Sequence, residues 1–255
     1  MKTKIIILAA GKGTRMGSEL PKALVPLNGK PMISYLAESV AAAGLDKKPI
    51  VIVSPVNKEI IRQTLSNYNW DYAVQTEQLG TGHAVVCARD LITDDVDNII
   101  VLYCDHPFIT ASSINSFGMI PTEAVMIMPT KLVDFQDWRQ NFYHWGRIIR
   151  NGEGNVEKIV EFKDATADEI EVTEVNPGFM CFNKNWLFAN IDKLHDDNRA
   201  HEFYLTDMVK IAFEQGYTVG TLAIEPYEAM GINSKDELEI AENINVNRME
   251  TAFSL

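Results

Sequence analysis

A short loop near the N-terminus concentrates residue types that bind phosphate. It reads Leu8-Ala9-Ala10-Gly11-Lys12-Gly13-Thr14-Arg15-Met16 and follows an apolar run with the character of a buried strand. Glycines let backbone N–H groups approach an anion, and Lys12, Arg15 and Lys22 place three cations within eleven residues. The loop therefore predicts a phosphate site. A glycine-rich turn with solvated lysines remains the alternative at this point.

The glycine spacing excludes two familiar phosphate loops. A Walker A loop requires glycine at position 6 and Ser or Thr after Lys12, but Ile6 and Gly13 stand there. A dinucleotide fingerprint requires G-x-G-x-x-G, and Gly11, Gly13 and Gly17 are spaced one residue too widely. An NAD-dependent dehydrogenase is therefore disfavoured.

The elements that must position this loop alternate between strands and helices. Short β-branched runs predict buried strands at residues 4–9, 49–53, 72–74 and 98–103. Apolar residues at helical spacing predict helices at 32–43, ended by Gly44, at 60–68 and at 84–91. This alternation predicts a parallel sheet covered on both faces. Such sheets bind ligands at the carboxyl ends of their strands, where the loop lies.

The second half predicts a different organisation, with antiparallel strands separated by polar turns. We expect strands at residues 125–128, 146–150, 156–161 and 178–182, helices at 185–194 and 206–215, and a strand at 218–224. Ser234 and Glu237 are spaced as a capping box for a last helix from Lys235 to about Asn245. One α/β domain over residues 1–255 with a β-rich insertion is the economical interpretation.

The amino-acid composition limits which classes of partner the protein could bind and indicates its cellular compartment. The 35 acidic and 23 basic side chains leave a net charge of −12, which argues against a nucleic-acid binder. Cys87, Cys104 and Cys181 are odd in number and lack C-x-x-C spacing, so we expect no disulfide framework and a reducing, cytoplasmic location. No stretch has the length and apolarity of a signal peptide or a spanning helix, so no membrane partner is expected.

Longer motifs identify a family resemblance. The loop, followed by Leu20-Pro21-Lys22 and Gly29-Lys30-Pro31-Met32, resembles the signature of sugar-phosphate nucleotidyltransferases. It is most similar to the N-acetylglucosamine-1-phosphate uridyltransferase domain of the bifunctional bacterial enzyme that makes UDP-N-acetylglucosamine. Further segments match that branch in order, at residues 75–84, 103–107, 146–148, 159–165, 174–178, 202–207 and 231–233.

The resemblance implies a fold and an arrangement of parts. The fold is a Rossmann-like, glycosyltransferase-A-like α/β domain, with a mixed, mainly parallel sheet and a β-rich sugar-binding insertion. The nucleotide-binding core would comprise about residues 1–110 and 205–245, and the sugar-binding part about residues 120–200. The bifunctional enzyme continues into a β-helix that carries acetyl transfer and trimerisation, so we expect neither here and a monomer or small homo-oligomer instead.

The resemblance also implies roles for individual residues. Arg15 and Lys22 would be catalytic, with Arg15 and Lys12 on the triphosphate and Lys22 on the sugar phosphate and α-phosphate. Asp105 and Asn233 would bind Mg²⁺. The nucleotide would contact Leu8, Ala10, Gly11, Lys12, Gly13, Gln75, Gly80 and Thr81, and the sugar would contact Tyr103, Gly146, Glu161 and Asn176.

Four of these residues have a plainer structural alternative. Asp105 and Asn233 could be turn residues, Thr81 a helix N-cap and Glu161 a solvated strand residue. Cys104 and His106 beside Asp105 suggest a transition-metal site as another alternative. No further Cys or His lies at ligand spacing to complete it. His83 is expected to pack or hydrogen-bond locally. The aromatic cluster of Trp138, Phe142, Tyr143 and Trp145 is expected to form insertion core or a flap contact.

The implied reaction joins a nucleoside triphosphate, with UTP expected, to a hexosamine-1-phosphate such as N-acetylglucosamine-1-phosphate. Three departures from the family pattern, Cys104, Trp145 and Pro177, lie around the base and the sugar and bear on the exact substrate. The same chemistry with GTP, CTP or another amino sugar for surface glycans remains open. A non-catalytic nucleotide-sugar sensor is the alternative from another class.

Overall fold

A computed structural model describes residues 1–11, 13 and 16–252, with side chains as far as residue 244. Its strands are β1 (Thr3–Leu8), β2 (Pro26–Leu27), β3 (Lys30–Pro31), β4 (Ile50–Val53), β5 (Asp71–Val74), β6 (Asn98–Tyr103), β7 (Val125–Ile127), β8 (Thr130–Lys131), β9 (Gly146–Arg150), β10 (Val156–Val160), β11 (Glu174–Asn176), β12 (Met180–Asn183) and β13 (Gly220–Thr221).

Its helices are α1 (Met32–Ala43), α2 (Lys58–Thr64), α3 (Thr81–Val86), α4 (Ala111–Met119), α5 (Ala167–Ile170), α6 (Lys184–Asn190), α7 (Asp207–Glu214), α8 (Pro226–Ala229) and α9 (Lys235–Ala252). Short 3-10 helices occupy Lys22–Leu24, Arg89–Leu91, Asp137–Phe142 and Ile191–Lys193. The described helices include none long and apolar enough to cross a membrane.

The central sheet has the order β13-β7-β12-β6-β1-β4-β5. Strands β6, β1, β4 and β5 are mutually parallel, whereas β12 runs antiparallel to both β6 and β7. The predicted mixed, mainly parallel sheet is therefore confirmed. Parallel neighbours place the carboxyl ends of β1 and β6 side by side, with Leu8 opposite Tyr103.

Alternation along the strands explains why helices cover both faces of this sheet. In β1, Ile5 and Ile7 join the apolar cluster formed with α1, α2 and α4, while Ile6 and Leu8 join the cluster formed with α3, α6 and α7. Successive side chains of a strand point to opposite faces, so a continuous apolar run needs a cover on each side. Helix α1 ends as predicted, with Gly44 in the left-handed region at φ 69°.

The insertion is a separate antiparallel sheet with the order β10-β9-β11-β8. Two of the strands predicted for the second half, at 146–150 and 156–161, lie in it as β9 and β10, whereas those predicted at 125–128 and 178–182 are β7 and β12 of the central sheet. The predicted aromatic cluster lies beside it. Phe142 is fully buried, and Trp138 and Trp145 pack against it. The cluster continues into an apolar core shared with the β2–β3 hairpin, α8 and α9, so it ties the insertion to the rest of the chain.

Several predicted elements differ from the observed ones. Helix α2 ends at Thr64 and not at Tyr68, and the last helix, α9, continues to Ala252 and does not end at about Asn245. The helix expected at residues 84–91 begins earlier, at Thr81, and ends at Val86, because the Ala88 N–H bonds to the Val85 carbonyl in a tighter i to i−3 turn. The strand expected at 218–224 is reduced to β13. The Leu222 and Ile224 N–H groups still donate to the Ile127 and Pro129 carbonyls, but Pro129 has no N–H to donate in return, so the paired ladder stops at Thr221.

Candidate active site

The candidate site lies where β1 and β6 end, in two adjoining cavities. The loop cavity, of about 210 Å³, is lined by Leu8, Ala10, Gly11, Lys22, Gln75, Gln78, Gly80, Thr81, Ala84, Tyr103, Cys104, Asp105 and Glu202. The insertion cavity, of about 290 Å³, is lined by Thr81, Tyr103, Asp105, His106, His144, Trp145, Gly146, Glu161, Asn176, Pro177, Gly178, Glu202, Tyr204, Thr206, Asn233 and Glu237. Four residues line both cavities: Thr81, Tyr103, Asp105 and Glu202.

Lys22, Asp105 and Asn233 meet at the junction of the two cavities. The Lys22 ammonium forms an ion pair with Asp105 Oδ2 and donates a hydrogen bond of 2.7 Å to Asn233 Oδ1. Both the Lys22 and Asp105 side chains are largely buried. The residues predicted for the sugar phosphate and for the metal are thus brought together from three distant parts of the chain.

The backbone explains how these three side chains are held. Gly13 adopts φ +63°, and a Cβ there would lie 2.5 Å from Lys22 Cβ, so only glycine allows the loop to pack against Lys22. The Ile232 N–H donates to the Asp105 carbonyl at 2.9 Å, which joins the segment bearing Asn233 to the end of β6. The Glu237 carboxylate accepts from the Asn233 N–H, and its own N–H donates to Ser234 Oγ at 3.2 Å.

The electrostatics keep Asp105 ionised. Burial alone would raise the pKa of the Asp105 carboxyl, but the adjacent Lys22 charge and hydrogen bond hold it below its ordinary value. Burial lowers the pKa of His106, whose Nδ1 lies 2.9 Å from the Ala229 carbonyl. His106 is therefore a neutral ring with its proton on Nδ1.

The oxygens at the junction fit a hard divalent cation. Asp105 Oδ2 and Asn233 Oδ1 both face one cationic centre, the Lys22 ammonium. A carboxylate and an amide oxygen, completed by water and substrate phosphate, are the donor set that Mg²⁺ takes in proteins. Within the described part of the chain, no three His, Cys, Asp or Glu side chains are grouped to hold a metal, so the transition-metal alternative lacks a third ligand there.

Most, but not all, of the residues predicted to bind the nucleotide line the loop cavity. Leu8, Ala10, Gly11, Gln75, Gly80 and Thr81 line the loop cavity, whereas Gly13 lies behind Lys22. Lys12 and Arg15 lie outside the described residues. The alternative of Thr81 as a helix N-cap is wrong: Gly80, at φ +112°, is the N-cap, and the Thr81 hydroxyl accepts from the Leu205 N–H at 2.9 Å.

The predicted sugar residues all line the insertion cavity. A Cβ on Gly146 would lie 3.5 Å from both carboxylate oxygens of Glu161, so glycine leaves that carboxylate accessible. Glu161 accepts a hydrogen bond from the Thr206 hydroxyl at 3.1 Å. Burial is the main cause that raises the Glu161 pKa, followed by the nearby carboxylates, against the lowering effect of Thr206. Asn176 Oδ1 accepts from the Gly178 N–H at 3.0 Å.

Several cavity residues were not assigned to the site from sequence. His106, His144 and Tyr204 line the insertion cavity, and Glu202 lines both cavities. The aromatic residues around position 145 were the available signal, because aromatic and polar side chains commonly line ligand pockets. Trp145 and Pro177, two of the departures from the family pattern, also line the insertion cavity.

A buried arginine holds the rim of the insertion cavity. Arg147 is fully buried and donates to the carbonyls of Ile170 at 3.0 Å, of Tyr143 at 2.7 Å, and of Trp145. Its guanidinium also lies 4.7 Å from the ring centre of Phe135. A planar fork with five donors can serve three carbonyls at once, which a lysine ammonium cannot do with the same geometry. Arg147 therefore shapes the segment that presents Trp145 and Gly146.

Arg147→Met is expected to lower the free energy of unfolding by about 2 kcal/mol or more, because it leaves three inward-facing carbonyls without their charged donor. Chemical denaturation measures this change. Arg150→Met is the matched control on the same strand, since Arg150 makes a more exposed pair with Glu174. It should cost about 1 kcal/mol or less. Equal losses in the two variants would contradict the role assigned to Arg147.

Comparison with known proteins gives one family and a set of related sequences. The model of the MobA-like NTP transferase domain matches residues 5–204. The bifunctional protein GlmU of Caldicellulosiruptor saccharolyticus is 39% identical over 242 residues, which are 94% of this chain and 51% of that protein. GlmU of Clostridium novyi is 36% identical across 100% of this chain and 56% of its own length. GlmU of Bacillus cereus is 38% identical across 96% of this chain and 52% of its own length. The chain thus spans about half the length of these curated relatives.

Proposed function

The chain belongs to the MobA-like NTP transferase family, and from that premise we propose that it is a magnesium-dependent sugar-1-phosphate nucleotidyltransferase. The proposed substrates are UTP and a hexosamine-1-phosphate such as N-acetylglucosamine-1-phosphate. The products are the nucleotide sugar and pyrophosphate. The sequence similarity to bifunctional GlmU proteins supports this choice of substrates.

One observation carries the proposal: Lys22, Asp105 and Asn233 converge where the two cavities meet. A transfer between two anionic substrates needs charge neutralisation at the point where they touch. A lysine beside a carboxylate and an amide oxygen provides the cationic group and the metal ligands at one place. A protein that only bound a nucleotide sugar would not require this combination between two cavities.

The reaction divides naturally between the two cavities. The nucleoside triphosphate would occupy the loop cavity and the sugar phosphate the insertion cavity, with the α-phosphate at the junction. An oxygen of the sugar phosphate attacks the α-phosphorus, the bond to the bridging oxygen of the β-phosphate breaks, and pyrophosphate leaves with that electron pair. No covalent enzyme intermediate is needed, because alignment and charge stabilisation lower most of the barrier.

Each charged residue contributes to that alignment. Lys22 would neutralise the sugar phosphate and the α-phosphate as the new P–O bond forms. Asp105 and Asn233 would hold Mg²⁺, which neutralises phosphate charge when bound. By resemblance, Lys12 and Arg15 would hold the triphosphate and the leaving pyrophosphate. Arginine suits this task because its forked donors match two phosphate oxygens.

Substrate recognition is proposed for the neutral and acidic groups of each cavity. Gln75 and Gly80 would bind the base. Gly146, Glu161 and Asn176 would bind sugar hydroxyls or the N-acetyl group, with Tyr103 in the wall beneath them. Trp145 and Pro177 make the insertion cavity differ from the family pattern. These two residues therefore bear most directly on which amino sugar the cavity accepts.

We expect pyrophosphate release from UTP and N-acetylglucosamine-1-phosphate with Mg²⁺, measured over a grid of the four nucleoside triphosphates and several sugar phosphates. Activity with GTP or CTP, or with another amino sugar, would replace the substrate assignment and retain the reaction class. Binding of UDP-N-acetylglucosamine by calorimetry, without turnover anywhere in the grid, would support the sensor instead and overturn the proposal.

A further inference from the structure

We propose that His83 is a positioning residue that fixes the orientation of the Gln75 amide, and that it thereby selects a base with an imino N–H at the ring position facing Gln75. The inference rests on the proposed function, because it deepens the assignment of the loop cavity to the base. His83 itself is not required to touch the nucleotide.

The Gln75 amide is held by two contacts at its nitrogen. Nε2 donates to the Gly80 carbonyl at 3.0 Å and lies 3.2 Å from His83 Nδ1. A carbonyl oxygen can only accept, so the nitrogen end of the amide must face Gly80. A primary amide has two N–H groups, and the two contacts use both of them. The amide therefore has one preferred orientation.

This orientation also assigns the proton of His83. Because Gln75 Nε2 donates toward it, Nδ1 must be the unprotonated nitrogen of a neutral imidazole, and the proton lies on Nε2. Nε2 is 3.9 Å from the Sγ atom of Cys87, one helical turn further along. Burial raises the pKa of the Cys87 thiol, which keeps it uncharged. The ring thus presents a fixed acceptor to Gln75.

The consequence is a defined acceptor in the loop cavity. Gln75 is buried with 4% of its surface exposed and lines this cavity, and its Oε1 makes no hydrogen bond to the described residues. Oε1 can accept the N3–H of uracil. Cytosine presents an unprotonated N3 at the same position, so two acceptors would face each other. Turning the amide over to suit cytosine would give up the bonds to both Gly80 and His83.

Two substitutions of His83 separate positioning from simple packing. His83→Leu keeps a side chain of similar bulk but removes the acceptor. His83→Asn keeps a carbonyl acceptor near the position of Nδ1. In His83→Leu we expect the preference for UTP over CTP, as the ratio of kcat/KM values, to fall about 10-fold. The loss should arise mainly from a higher KM for UTP, with the KM for the sugar phosphate unchanged. His83→Asn should retain most of the preference.

The outcomes separate this inference from the proposed function. A wild-type enzyme that prefers CTP would contradict the UTP assignment. If the wild type prefers UTP, an unchanged preference in His83→Leu, or equal losses in both variants, would overturn the role of His83. Nitrogen-15 NMR of the imidazole in the wild-type protein tests the same contact without a substitution. We expect a protonated Nε2 and a bare Nδ1, and a proton on Nδ1 would overturn the proposal.

Discussion

Asp105→Asn is expected to lower kcat by about 10³-fold, which corresponds to about 4 kcal/mol in the activation barrier. The substitution keeps the size of the side chain and one oxygen, but removes the negative charge that would hold Mg²⁺ and that pairs with Lys22. The measurement is pyrophosphate release at saturating substrates over a Mg²⁺ titration. The KM for either substrate should change much less than kcat, because the lost interaction is strongest in the transition state.

The chain supplies a matched control for this variant. Asp46 is also a largely buried carboxylate paired with a lysine, Lys4, at 3.2 Å, and it accepts from the Ile5 N–H at 2.9 Å. This pair lies near the amino end of β1, whereas Asp105 lies beyond the carboxyl end of the neighbouring β6. Asp46→Asn should therefore reduce stability without changing kcat. A wild-type rate in Asp105→Asn with an unchanged dependence on Mg²⁺ concentration would contradict the metal assignment.

Lys22→Met is expected to lower kcat by about 10²-fold to 10³-fold, because a neutral side chain of similar length cannot stabilise the phosphate charge that develops during transfer. The same variant should bind Mn²⁺, used as a paramagnetic substitute for Mg²⁺, at least as tightly as wild type when substrates are absent. The reason is that the ammonium contacts the two oxygens, Asp105 Oδ2 and Asn233 Oδ1, that would hold the ion. Electron paramagnetic resonance measures the free Mn²⁺.

Opposite changes in metal affinity and turnover would distinguish Lys22 from a residue that only supports the fold. Lys4→Met is the control, since it removes the lysine of the other buried pair and should change neither quantity. Turnover retained in Lys22→Met would contradict its assignment to the sugar phosphate and the α-phosphate. Weaker Mn²⁺ binding in that variant would contradict competition between the ammonium and the ion.

Local patterns in the sequence predicted most of the elements that carry the site. The strand expected at residues 98–103 is β6 with the same bounds, and the helix expected at 32–43 is α1, ended by Gly44. These predictions succeed because side-chain periodicity and a left-handed glycine act within a few residues. The last helix likewise begins at Lys235, where the capping spacing placed it.

Predictions that depended on distant contacts were less accurate. Thr81 has the side chain of an N-cap, yet its hydroxyl bonds to Leu205, 124 positions away, and Gly80 occupies the cap. The charged side chain of Arg147, in a predicted strand, is typical of a residue that faces solvent. In the fold, three carbonyls and an aromatic ring surround it. No local pattern encodes such partners.

The sequence by itself determined a βαβ core with a cationic glycine loop after its first strand, and its motifs named the residues expected at the site. Only the tertiary structure decided that Lys22 meets Asp105, 83 positions away, and Asn233, 211 positions away. It also decided which end of the Gln75 amide faces the cavity. The physical reason is that periodicity depends on neighbours in the chain, whereas an ion pair or an amide orientation depends on groups that only folding brings within bonding distance.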